Sequence, residues 1–175
     1  MSTVPLERFH DLTGLSDAGF DLDVVPGAEE LRALADWAGV DEVSQLKAHI
    51  FVQAQSKTRF REEIDLEADI VQSCVVTLEP VRTHICRNFV RSLHLVPGVE
   101  RFDDKGGLVG AIGETEDSPD EIVSPVYDLG IPLREEFALA IDRYPRAAGV
   151  AFEAPEDHER AESPFAVLQK LKQER

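Results

Sequence analysis

Positive charge is scarce in this chain. Lysine and arginine number 18 against 34 aspartates and glutamates, for a formal net charge of -16. Proteins that hold naked nucleic acid draw affinity from cations that displace condensed counterions, so this balance disfavours such a role, and anionic lipid with it. Cysteine is scarcer still: Cys74 and Cys86 are too few for a disulfide framework, which suits a reducing compartment. No apolar run approaches the roughly 18 residues of a membrane span. The opening MSTVPLERFHDLTG has no basic stretch leading into an apolar one, so no secretory leader is expected and the expected location is cytoplasmic. Neither a G-x-S-x-G elbow nor a P-loop occurs. Gly106, Gly107, Gly110 and Gly113 fall in an acidic segment that would repel phosphate, so structural slack is their simpler use.

What is present organises itself around Arg59–Val81. In its first half Phe60, Ile64, Leu66, Ala68 and Ile70 fall on one side, with Arg59, Arg61, Glu63, Asp65, Glu67 and Asp69 on the other. Period-two alternation marks a strand with one buried and one wet face. The second half packs Cys74, Val75, Val76 and Leu78 together before Pro80, which should end the ladder. Upstream, Val43–Ala54 alternates as well, with Leu46, Ala48, Ile50, Val52 and Ala54 facing one way. Gln55–Thr58 is short enough for a hairpin turn. Lys47 and His49 should then face the acidic row across the hairpin, where each opposite-charge pair adds about 0.2–1 kcal/mol.

Other elements follow from the same patterns. Val4–Phe9 reads as a short edge strand or an extended lead-in and Phe20–Val25 as a strand stopped by Pro26-Gly27. Ala28–Ala38 reads as a helix, with Leu31, Leu34, Ala35 and Ala38 inward, Trp37 beside them and Gly39 closing it. Arg82–Val96 should be a strand with Ile85, Phe89, Leu93 and Leu95 inward. Residues 98–125 read as a flexible acidic loop. Pro132–Arg143 should form a second helix, with Leu129, Leu133, Phe137 and Ile141 recurring every four residues and Arg143 and Arg146 at its C-terminal end. Residues 154–175 supply an acidic linker and a short helix capped by Ser163, with Phe165, Leu168 and Leu171 on one side. The sum is a single α+β domain over 1–175, a twisted antiparallel sheet packed by two to three helices.

Sites for chemistry are harder to find. Cys74, Cys86, His84 and His94 lack the close pairs of a structural zinc site, so no metal ligand set is assigned, although His84 and Cys86 share a strand face. Glu63, Asp65 and Glu67 project from one strand face at about 6.5–7 Å spacing, and two or three carboxylates can hold magnesium for phosphoryl transfer. A solvated strand face explains the same regular row more simply. No cofactor is implied.

Gln72-Ser-Cys-Val-Val-Thr-Leu-Glu-Pro-Val81 resembles the YceD family, in the form that carries Q-x-C-V-V-T-L-E-P. Asp128-Leu-Gly, Glu135-Glu136 and Leu139–Arg146 are similar to the family's second block, and Pro164–Lys172 to its C-terminal signature. The resemblance implies a small bacterial cytosolic protein that supports accumulation of 23S ribosomal RNA and biogenesis of the large ribosomal subunit, without assigned catalysis. The chain departs from members with C-x-x-C or C-x-R-C pairs, because Val75, Val76 and Thr77 follow Cys74. On this reading Gln72, Cys74, Thr77, Glu79 and Pro80 form a shaped corner for a partner, with Phe165 and Leu168 on a docking helix. The partner expected for so acidic a protein is a basic protein, such as a ribosomal protein or processing factor, with no tight direct hold on nucleic acid and no membrane. The alternatives are a magnesium-dependent phosphoesterase on Glu63, Asp65 and Glu67, or an interaction module unrelated to ribosomes.

Overall fold

A computed structural model describes residues 4–96 and 119–151. The linker and C-terminal helix expected over 154–175, with Phe165 and Leu168, and most of the acidic loop expected over 98–125 lie outside the described residues.

The fold is α+β, a sheet packed by helices. Strands β2 (Phe20–Val24), β3 (Glu42–Ala54), β4 (Arg59–Ser73), β5 (Pro80–Leu95) and β6 (Asp120–Ile122) form one five-stranded sheet in sequential order. Strand β1 (Phe9–Asp11) pairs with β7 (Val126–Asp128) in a separate two-stranded ribbon. Helices α1 (Ala28–Ala38) and α2 (Gly130–Ala140), with a single 3-10 turn at Leu12–Gly14, complete the described elements.

The alternation in β3 and β4 does set the register. Ala54 faces Phe60 and Val43 faces Ile70, with one irregularity between Val43 and Gln45. This brings Leu46, Ala48, Ile50 and Val52 together with Phe60, Ile64, Leu66 and Ala68 on the buried side. Helix α1 packs over β3 through the buried Leu34 and Ala35, while Trp37 stays 46% exposed. Gly39 ends it at φ 70°, a left-handed conformation that costs least without a Cβ. Helix α2 lies against β4 and β5 and buries Leu133 and Phe137 completely, with Leu129 just before it. Every side chain of this size removed from water contributes about 1.5–3 kcal/mol.

Four expectations need correction. The sheet is mixed, since β6 runs parallel to β5 (Leu93 faces Asp120, Leu95 faces Ile122), so residues 120–122 of the expected loop are strand. The long connection between β5 and β6 permits this, because parallel neighbours need a crossover. Pro80 opens β5 instead of ending the ladder: it faces Ser73, and a strand's first residue can do without an N–H. The first strand begins at Phe9, while Leu6 turns inward at φ 60° with 1% exposure. Helix α2 stops at Ala140, so Arg143 and Arg146 lie beyond its last turn.

The start of α2 is held by a polar knot that no periodicity announces. Asp128 Oδ1 accepts from the backbone N–H groups of Gly130 (2.9 Å) and Arg8 (2.6 Å). Its other oxygen accepts from the Arg134 guanidinium at 2.8 Å, which also donates to the Pro5 carbonyl at 3.1 Å. Asp128 and Arg134 are both buried. Arg8 then grips Glu30 of α1 through two nitrogens, at 2.9 and 3.0 Å, and hydrogen bonding to Arg8 holds the Glu30 carboxyl below its usual range. Chain start, α1 and α2 are thereby tied together.

Candidate functional site

The corner expected to meet a partner is the connection from β4 to β5. Cys74 N–H donates to the Glu79 carbonyl at 2.8 Å and the Cys74 carbonyl accepts from Leu78 N–H at 2.9 Å, closing a tight loop that passes through Leu78 at φ 62°. The loop docks on the segment after α2. Gln72 Nε2 donates to the Asp142 carbonyl (2.9 Å), Val75 N–H to the Pro145 carbonyl (2.9 Å), and Ala147 N–H to Cys74 Sγ (3.4 Å). The two sequence blocks Gln72–Val81 and Leu139–Arg146 are therefore physically one unit.

Of the five corner residues, Gln72 and Cys74 are buried and Thr77, Glu79 and Pro80 are exposed. The exposed tip also carries Val75 at 47% and Leu78 at 77%. Cys74 is fully shielded, yet its thiol is pulled down to about 6 by the Thr77 hydroxyl and by the backbone N–H groups of Ala147, Thr77 and Val76. Those donors favour the thiolate and outweigh burial, which opposes it. Shielding leaves the sulfur a structural role, fixing the loop, while Val75, Thr77, Leu78 and Glu79 form the surface available to another molecule.

The acidic row lies on the outer face of the sheet, where expected, with Lys47 opposite Glu67 and His49 opposite Asp65. His49, however, bonds across to β2, with Nδ1 at 2.9 Å from Asp23 and Nε2 at 3.2 Å from Asp21. The Asp23 hydrogen bond raises the His49 pKa above its ordinary value. Asn88 donates to Asp65 at 2.6 Å, His84 lies 2.8 Å from Asp69, and Arg61 is 3.2 Å from Glu63. A hollow of about 450 Å³ on this face is lined by Asp23, Lys47, His49, Glu67, Cys86 and Asn88 among others. Among the described residues no group of three or more His, Cys, Asp or Glu side chains could hold a metal ion, so Glu63, Asp65 and Glu67 do not converge on one.

One residue of the central strand was absent from the sequence reading. Glu62 lies on the buried face of β4, with 0% exposure and, among the described residues, no hydrogen-bond partner for either carboxylate oxygen. Burial pushes its carboxyl up to about 8, only partly opposed by Arg91, which faces it on β5. Parity alone could have found it, since position 62 shares its side with Phe60 and Ile64. The same burial, together with the Glu62 charge, raises Tyr127 above its ordinary value.

No protein-family model, curated protein or solved structure matches this chain. Among the described residues no helix is long and apolar enough to cross a membrane.

Proposed function

We propose that this protein is a non-enzymatic cytoplasmic factor that supports 23S ribosomal RNA accumulation and large-subunit biogenesis by engaging a basic protein. The observation that carries the reading is the charge of -16, to which the row Glu63, Asp65, Glu67 and Asp69 on the outer sheet face contributes. Such a surface attracts cationic polypeptide and repels bare polyanion. The ribosomal context rests on the resemblance at Gln72–Val81, Leu139–Arg146 and Pro164–Lys172. The docked arrangement of the first two blocks supports treating them as one functional corner, with Val75, Thr77, Leu78 and Glu79 outward.

A magnesium-dependent phosphoesterase on Glu63, Asp65 and Glu67 finds less support, because these carboxylates stand apart along a strand with polar neighbours close at hand.

Sucrose-gradient sedimentation of a deletion strain, with both ribosomal RNAs quantified, tests the biological assignment. Loss of 23S RNA and of large subunits relative to small is expected, and an unchanged profile would remove the ribosomal reading. Recovery of tagged protein from lysates with and without ribonuclease tests the partner. A basic protein should remain bound after digestion; recovery that vanishes with the RNA counts against a protein partner.

A further inference from the structure

A second surface combines negative charge with exposed apolar side chains. Strand β6, the β1–β7 ribbon and the first turn of α2 enclose a groove of about 480 Å³. Its walls include Phe9 at 64% exposure, Val123 at 72%, Val126 at 50% and Ile131 at 38%. Side chains of this kind scattered singly need no explanation, but several gathered around one groove mark an interaction surface. Asp120, Glu121 and Glu135 also line it, and Arg91 is the one cation among its described lining residues. Arg91 is itself held by Asp120 at 3.3 Å and Glu135 at 3.2 Å, so its charge is matched locally.

We propose that this groove is the docking site for an amphipathic, basic segment of a partner protein. Apolar side chains of the segment would cover Phe9, Val123, Val126 and Ile131, while its lysines or arginines would meet the acidic side chains. Helix-in-groove recognition works in this way, apolar anchors supplying contact area and charged flanks setting orientation. The proposal rests on the basic-partner reading and names its surface. The hollow on the outer sheet face is the weaker choice. There His49 and Asn88 already bond to Asp23 and Asp65, Lys47 and Arg87 line the space, and Val25 is the one large apolar lining residue that is exposed.

The test uses the full chain and a fluorescent synthetic peptide of leucine and lysine in helical periodicity, read by anisotropy. Two control peptides replace every leucine by serine or every lysine by glutamate. Binding of the leucine–lysine peptide alone is expected, weakened about tenfold or more by Val123→Glu, Ile131→Glu or Glu121→Lys. Asp65→Asn and Glu67→Gln on the outer face should bind like wild type. All five positions are exposed or, for Ile131, partly so, and thermal melts verify that each variant folds. Equal weakening by the outer-face variants, or none by the groove variants, would overturn the proposal. So would a wild-type chain that binds no peptide. If binding then appears in Phe165→Ala/Leu168→Ala, the chain's own C-terminal segment is the occupant. Groove variants that still recover a basic protein from ribonuclease-treated lysate overturn the groove but leave the basic-partner reading standing.

Discussion

Glu62 carries a carboxyl group walled off from water and, among the described residues, without a hydrogen-bond partner, so it keeps its proton at neutral pH. In the unfolded chain the same group ionises near its ordinary value of 4.5, whereas in the folded protein it does so at about 8. Between those values the unfolded state binds fewer protons, so stability is full below the unfolded pKa and falls as pH rises towards the folded one. The slope is about 1.4 kcal/mol per pH unit, for a loss on the order of 3 kcal/mol by pH 7. Glu62→Gln should abolish most of this slope, and urea melts from pH 5 to 8 will show whether wild type and variant diverge with rising pH. Parallel curves would mean that Glu62 already finds a partner for its charge. Alternation makes such a residue legible, since any charge at an even position of β4 must point inward. No such signal announced that Asp128 and Arg134 would close on Arg8 and Pro5 from far upstream in the chain.

Among the elements, β2, α1, β3 and β4 could be read from periodicity because each is long or well bounded and one of its faces meets the core. Strand β6 could not, being three residues long, too short to display a period, and defined only by a distant parallel partner. The end of α2 was hidden as well: Ile141 continues the four-residue recurrence, yet its backbone is already extended at ψ 126°. The beginning of that helix yields a prediction. A Cβ at Gly130 would overlap the Leu6 carbonyl oxygen and crowd the Arg134 guanidinium, so the chain's opening turn and the helix approach as closely as they do only over a glycine. Gly130→Ala, ordinarily a helix-favouring change, should destabilise by more than about 1 kcal/mol in a urea melt. Gly14→Ala, where nothing lies within 4 Å, should be close to neutral. A stable Gly130→Ala protein would show that the opening turn can move aside. The corner divides in a similar way. A corner near Pro80 could be read from the sequence, but that Gln72 and Cys74 face in while Thr77 and Glu79 face out follows from docking against Asp142–Ala147.

At the scale of the whole molecule, a charge of -16 on 175 residues repels itself. Raising salt from about 0.01 to 1 M shortens the screening length from roughly 30 to 3 Å, which relieves that repulsion more than it weakens close pairs. The melting midpoint should therefore rise with sodium chloride. A flat or falling midpoint would indicate that local pairs such as His49–Asp23 and Arg91–Asp120 outweigh the net charge. Composition and alternation by themselves determined the acidic character, the helix-packed sheet and the hairpin register, because these depend on residue type and on a spacing of two or 3.6 along the chain. Only the tertiary structure decided the parallel edge strand, the closing of Asp128 and Arg134 on Pro5 and Arg8, the lack of a hydrogen-bond partner for Glu62 among the described residues and the apolar groove beside β6. Each of these joins residues far apart in sequence, and local spacing holds no record of which distant surfaces will meet.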